Sequence, residues 1–132
     1  MSGQNNILID VNGRAVVADF GLSFQISELT GSYPVTGAAQ WMAPELMQAF
    51  KPSIHSDMYS FGSIMNYVIS GELPFAHEPA APYTIRGNDV SQEHWKFSQR
   101  CWEPFNFDDG SSSRPSAEEA CGFLRRSLNS DC

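Results

Sequence analysis

Apolar positions open the chain in two short runs, Ile7-Leu8-Ile9-Asp10-Val11 and Ala15-Val16-Val17-Ala18, separated by Asn12-Gly13. Apolar, largely β-branched runs around an Asn-Gly pair predict a β-hairpin with a two-residue turn. From Asp19 to about Thr36, Gly, Ser, Thr and Pro follow without a sustained period, which predicts a long loop, and loops of that length are usually functional or disordered. In Trp41-Met42-Ala43-Pro44-Glu45-Leu46-Met47 the proline stands at a first helical position, so a short helix is expected to about Phe50.

Helical periodicity then takes over. Ser56 reads as the N-cap of a segment whose Met58, Phe61, Ile64, Met65 and Val68 share one face, with Gly71 and Pro74 ending it. Tyr59, Tyr67 and Ile69 widen that face, so this helix is expected to be central. Residues 76–90, with Pro79, Pro82 and Gly87, read as loop. Ser91 to Trp102 reads as a helix packed through Trp95, Phe97, Cys101 and Trp102, and Glu103 to Arg114 as an irregular acidic stretch. Ser116 and Glu119 form a capping box behind Pro115, opening a last helix whose Ala120, Phe123, Leu124 and Leu128 share one face. The pattern predicts a mainly α fold with one small β-hairpin.

Composition adds a core and removes several function classes. The 132 residues are 42% hydrophobic and 12% aromatic, well outside the range of disordered chains. Eight Lys and Arg against 15 Asp and Glu give a net charge of −7, with no basic stripe for a phosphate backbone, so nucleic acid is not an expected partner. The stretch Met58–Ile69 is too short and too interrupted to cross a bilayer, and Met1-Ser2-Gly3-Gln4-Asn5-Asn6 lacks the features of a secretory signal. No membrane association and a cytoplasmic or nuclear location are expected. Cys101, Cys121 and Cys132 are odd in number and unpaired in spacing, which favours reduced thiols over a disulfide framework or a zinc site.

Candidate chemistry begins at the hairpin. Asn6 precedes the first run and Asp19, in Ala18-Asp19-Phe20-Gly21-Leu22, follows the second. An amide oxygen and a carboxylate brought together across a tight hairpin are two hard ligands suited to Mg²⁺ shared with substrate phosphates. Taken alone, Asp-Phe-Gly is a common tripeptide and reads first as a strand-ending turn. His55, His77 and His94 have no ligand-like spacing, and Asp108-Asp109-Gly110 lacks the alternation and terminal Glu of a calcium loop.

Trp41-Met42-Ala43-Pro44-Glu45, later and in order, changes the balance. With these fragments the chain resembles the protein kinase family, with its catalytic-loop Asn, Asp-Phe-Gly and Ala-Pro-Glu signatures. Ser56-Asp57-Met58-Tyr59-Ser60-Phe61-Gly62 is similar to the start of the central helix of the family's C-terminal lobe, and Gly71-Glu72-Leu73-Pro74-Phe75 to its exit. Cys101-Trp102 and Arg114-Pro115-Ser116 resemble the closing helices of tyrosine-kinase-like serine/threonine kinases. The resemblance implies a partial kinase domain over residues 1–132, a C-terminal lobe whose activation segment is 19–45. It implies Mg²⁺ and ATP as cofactors and proteins as substrates or partners. Asn6 (with Asn5 the weaker candidate) and Asp19 would hold the metal. Glu45 would pair with Arg114, and Asp57 would accept backbone hydrogen bonds from the catalytic loop unless it serves only as a helix-start acid.

Other family parts do not occur in these residues: the Gly-rich loop, the Val-Ala-x-Lys strand, and the His-Arg-Asp base that would lie five positions before Asn6, where Met1 stands. Without the base, phosphoryl transfer would slow roughly 10²- to 10⁴-fold. Without the lobe that positions ATP, about 7–11 kcal/mol of barrier reduction is out of reach. The isolated chain is therefore expected to be inactive, and two oxygen ligands without phosphates to hold Mg²⁺ weakly. Ala38, in Gly37-Ala38-Ala39-Gln40, stands where related kinases carry Thr, and Thr30, Ser32, Tyr33 and Thr36 lack the partner arginine that would make them phosphate switches. The alternative reading is a catalytically dead, kinase-like protein-interaction module. A third is a chain whose uncovered hairpin keeps it from folding alone, which a cooperative thermal transition would test.

Overall fold

The computed structural model describes residues 7–18, 41–49, 51–74 and 86–130. Expectations for Asn5, Asn6, the 19–40 part of the activation segment and His77 fall outside these residues.

Strands β1 (Ile7–Ile9) and β2 (Ala15–Val17) pair antiparallel in the register Ile7↔Val17, Leu8↔Val16 and Ile9↔Ala15. The connection is longer than the expected two-residue turn. Asp10 N–H donates to the Arg14 carbonyl (2.8 Å), and Gly13 N–H donates to that of Asp10 (3.0 Å). Gly13 sits at φ 77°, a conformation that favours glycine. Asp10 Oδ1 accepts the Asn12 and Arg14 amides at 2.8 and 2.9 Å, an aspartate closing a turn through its own neighbours. The strands are correspondingly shorter than the apolar runs.

Helix α1 (Pro44–Gln48) starts at the proline as expected and ends before Phe50. Helix α2 (Ile54–Ser70) begins earlier than expected, because Ser53 rather than Ser56 is its N-cap. Ser53 Oγ accepts Ser56 N–H (3.2 Å) and Ser56 Oγ accepts Ser53 N–H (2.9 Å), so Ser56 fills the Glu/Gln position of a capping box. Its C-terminus is Gly71, at φ 73°. Ser53→Ala is expected to cost about 1 kcal/mol, seen as a lower denaturation midpoint with unchanged slope.

The buried face of α2 also differs from the expected stripe. Val68 is 72% exposed and Phe61 and Ile64 are half-buried, while Gly62, Ser63 and Asn66 join Met58, Tyr59 and Met65 inside. The cause is the crossing with α3 (Gln92–Cys101), where a methyl on Gly62 would overlap the Cys101 Cβ. Small residues let the helices approach. Ser63 Oγ accepts the Trp102 indole N–H (3.2 Å) and donates to the Tyr59 carbonyl (3.3 Å), which satisfies its buried hydroxyl.

Ser91 caps α3 by accepting the His94 amide (3.2 Å) and also bonds the His94 ring. Helix α4 (Ala117–Ser130) opens with the expected box: Ser116 Oγ accepts Glu119 N–H (3.1 Å) and Glu119 Oε2 accepts Ser116 N–H (2.8 Å). It buries Ala120 and stacks Phe123 on Phe97 (4.4 Å between ring centroids), but its apolar face stops at Leu124, since Leu128 is 70% exposed. The result is a mostly helical architecture with a two-stranded hairpin, its core formed between α1, α2, α3 and α4. Among the described residues, no helix is long and apolar enough to cross a membrane. Nor, among them, do three His, Cys, Asp or Glu cluster as metal ligands do.

Candidate functional site

Pro44 starts α1 and thereby places Glu45 in its first turn, pointing inward. At the other end of the fold, Arg114 precedes Pro115, which is itself fully buried. The two side chains, 69 residues apart, meet in the interior with residue exposures of 5% and 6%. Arg114 Nη1 and Nη2 donate to Glu45 Oε1 and Oε2 at 2.5 and 3.0 Å, a two-pronged geometry that an arginine fork matches and a lysine does not.

Two further donors reach backbone carbonyls. Nη1 bonds the His55 carbonyl (2.9 Å) and Nε the Glu103 carbonyl (2.8 Å), while the guanidinium lies 5.1 Å from the centre of the Tyr59 ring. One side chain therefore joins α1, the start of α2, and the chain leaving α3. Burial pushes the Tyr59 phenol up to about 12, with nearby Arg114 opposing and Glu45 adding to the shift, so Tyr59 stays neutral as a packing group. The cluster is a clamp.

Trp41 anchors the segment entering α1. Its ring is buried and meets Tyr67 edge-on at 5.5 Å, and its carbonyl accepts the Ser60 hydroxyl at 2.7 Å. Asp57 stands in the first turn of α2, at the surface, and partial burial of its carboxyl raises its pKa from the ordinary value. That direction is opposite to what the helix dipole alone would impose. Asn6 and Asp19 lie outside the described residues, as does the catalytic-loop backbone that Asp57 was expected to meet. The two side chains expected to pair, Glu45 and Arg114, are brought together.

Sequence reasoning missed the other members of the clamp. Backbone carbonyls such as those of His55 and Glu103 carry no side-chain signature. Tyr59 reads only as one more apolar residue on a helix. Its place two positions after Asp57 offers no local sign that a guanidinium will lie over it.

Comparison with known proteins completes the picture. The family model for the protein kinase domain matches residues 4–132. The receptor-like tyrosine-protein kinase kin-15 of Caenorhabditis elegans is 30% identical over 94% of this chain and 28% of its own length. The dual specificity protein kinase shkD of Dictyostelium discoideum is 30% identical over 96% of this chain and 18% of its own length. The RAF proto-oncogene serine/threonine-protein kinase of Xenopus laevis is 39% identical over 56% of this chain and 12% of its own length. The chain thus spans at most 28% of the length of these relatives. A family-model match along nearly the whole sequence and the ordered Ala-Pro-Glu and Arg-Pro fragments meeting in one clamp lead to the same conclusion: the chain belongs to the protein kinase domain family.

Proposed function

We propose that the chain is the C-terminal lobe of a protein kinase domain, with residues 19–45 as its activation segment, and that it serves ATP-dependent phosphoryl transfer to serine or threonine of proteins only within a longer kinase domain. The carrying observation is the Arg114 fork on Glu45, which ties the end of that segment to the closing helices. A serine/threonine kinase among the relatives supports the choice of acceptor.

In this reading Asn6 and Asp19 hold Mg²⁺. Asn6 directly precedes Ile7, Asp19 stands two residues past Val17, and Ile7 and Val17 are partners at the end of the ladder. An amide oxygen with a carboxylate is a donor set that fits a hard cation. The metal, when bound with ATP, neutralises charge on the phosphates. In the same reading Asp57 accepts backbone hydrogen bonds from the catalytic loop. Glu45 and Arg114 fix the exit of the segment.

The 132 residues contain neither a His-Arg-Asp base nor a Gly-rich loop and Val-Ala-x-Lys strand. The purified chain is expected to transfer labelled phosphate from ATP to a serine- and threonine-rich protein at the background rate, and to give no saturable heat on titration with Mg²⁺ and ATP. Transfer above background would overturn the predicted inactivity. If the coding frame upstream of Met1 supplies those missing parts, the extended chain transfers phosphate and Asp19→Asn abolishes it. A stop codon there would favour the interaction-module reading instead.

A further inference from the structure

Between α1 and the loop after α3 lies an open cleft of about 210 Å³. Pro44 and Gln48 line it from α1, and Trp102, Pro104, Phe105 and Phe107 from the loop, with the Glu45–Arg114 clamp beside them. The Phe105 and Phe107 rings meet edge-on at 5.4 Å, yet Phe107 remains 51% exposed. The loop that presents it is closed by its own bonds: Phe105 bridges Ser112, Asn106 N–H donates to the Ser111 carbonyl (2.9 Å), and Gly110 turns the chain at φ 70°. A ring displayed by a braced loop is organised for contact and needs little ordering on binding.

Charge narrows what fits. The Glu45 carboxylate offsets the Arg114 charge, so the clamp offers no net cation. Apart from that pair no charged side chain among the described residues lines the cleft, and the loop that presents Phe105 and Phe107 also carries Glu103, Asp108 and Asp109. All three carboxylates are exposed, and hydrogen bonds involving Ser111 hold the Asp109 carboxyl below its ordinary value. Aromatic and proline walls suit an extended, proline-containing segment with an aromatic anchor, and the carboxylates carried by the same loop repel an acidic one.

We propose that this cleft docks an extended segment of a protein partner in which a Phe-Pro anchor is flanked by lysine or arginine. The proposal goes beyond phosphoryl transfer and holds whether or not the chain supports it. The test is fluorescence anisotropy with the full 132-residue chain and three labelled peptides, sharing one length. One has Phe-Pro flanked by lysines, the second Phe-Pro flanked by glutamates, the third Gly-Gly flanked by lysines. The first is expected to bind at least about tenfold more tightly than either of the others and to weaken as salt rises.

Phe107→Ala should cost at least about tenfold in affinity with the thermal transition unchanged. Glu103→Gln combined with Asp108→Asn should narrow the preference for lysine flanks while leaving the anchor's contribution intact. Equal binding of the lysine peptides, with or without Phe-Pro, would reduce the interaction to bulk attraction for an acidic protein. That result, equal binding of both Phe-Pro peptides, no binding, or indifference to Phe107→Ala overturns the proposal.

Discussion

Arg114→Leu lowers the free energy of unfolding by about 3–5 kcal/mol, because it leaves the Glu45 carboxylate buried with its counter-charge gone. The figure is large against the roughly 5–15 kcal/mol that holds most domains folded. It exceeds the worth of a surface pair, typically below about 1 kcal/mol, for a specific geometric reason. Both oxygens of Glu45 receive donors from one guanidinium in the interior, and the same guanidinium serves the His55 and Glu103 carbonyls. Removing it strands a charge and two carbonyls together.

Three comparisons, all read by denaturant unfolding, separate this account from simple loss of packing. Arg114→Lys recovers only part of the loss, since an ammonium cannot span both carboxylate oxygens in the fork geometry. Glu45→Leu made together with Arg114→Leu costs less than the sum of the single changes, because neither charge is then left alone. The penalty of Arg114→Leu persists in high salt, where an exposed pair such as Arg100–Glu119 would already be screened. A penalty below about 1 kcal/mol, or one that salt removes, would mean that the pair is not shielded as the geometry requires.

What could be read from the sequence follows the range of the interactions involved. The Ser116–Glu119 box, the proline start of α1 and the Gly71 stop of α2 depend on residues within a few positions of one another, and all three are present. The start of α2 was misplaced because Ser53 and Ser56, three apart, both suit a cap. Each bonds the other's amide, and only the backbone decides which one lies outside the helix. The buried face of α2 was misread for a different reason. A hydrophobic pattern counts Gly62, Ser63 and Asn66 as gaps, whereas a close helix crossing needs small residues and hides the Ser63 hydroxyl between Trp102 and the Tyr59 carbonyl. The meeting of Glu45 with Arg114 has no local signal at all and was expected only from family resemblance. For Asn6 and Asp19, resemblance and donor chemistry remain the argument.

The Gly62 position gives the second large effect, with a sign opposite to that of intrinsic propensity. In an exposed helix, Gly→Ala would stabilise by roughly 1 kcal/mol. At Gly62 the new methyl would overlap the Cys101 Cβ and lie 3.1 Å from Trp102 Nε1. Because the Cys101 Cβ is fixed to the backbone, no rotamer change relieves the overlap, and α2 must move away from α3. That separation stretches the Trp102–Ser63 hydrogen bond, now 3.2 Å, and opens the packing around Met58, Phe97 and Ala120. Gly62→Ala is therefore expected to destabilise by about 3 kcal/mol, the upper end for overpacking, with a shift in tryptophan fluorescence as Trp102 moves. Adding Cys101→Ala removes only the Sγ, 3.3 Å from the new methyl, leaves the offending Cβ in place and should restore little, whereas adding Cys101→Gly removes it and should recover much of the loss. A gain in stability from Gly62→Ala alone would show that α2 and α3 do not cross as closely as their packing indicates.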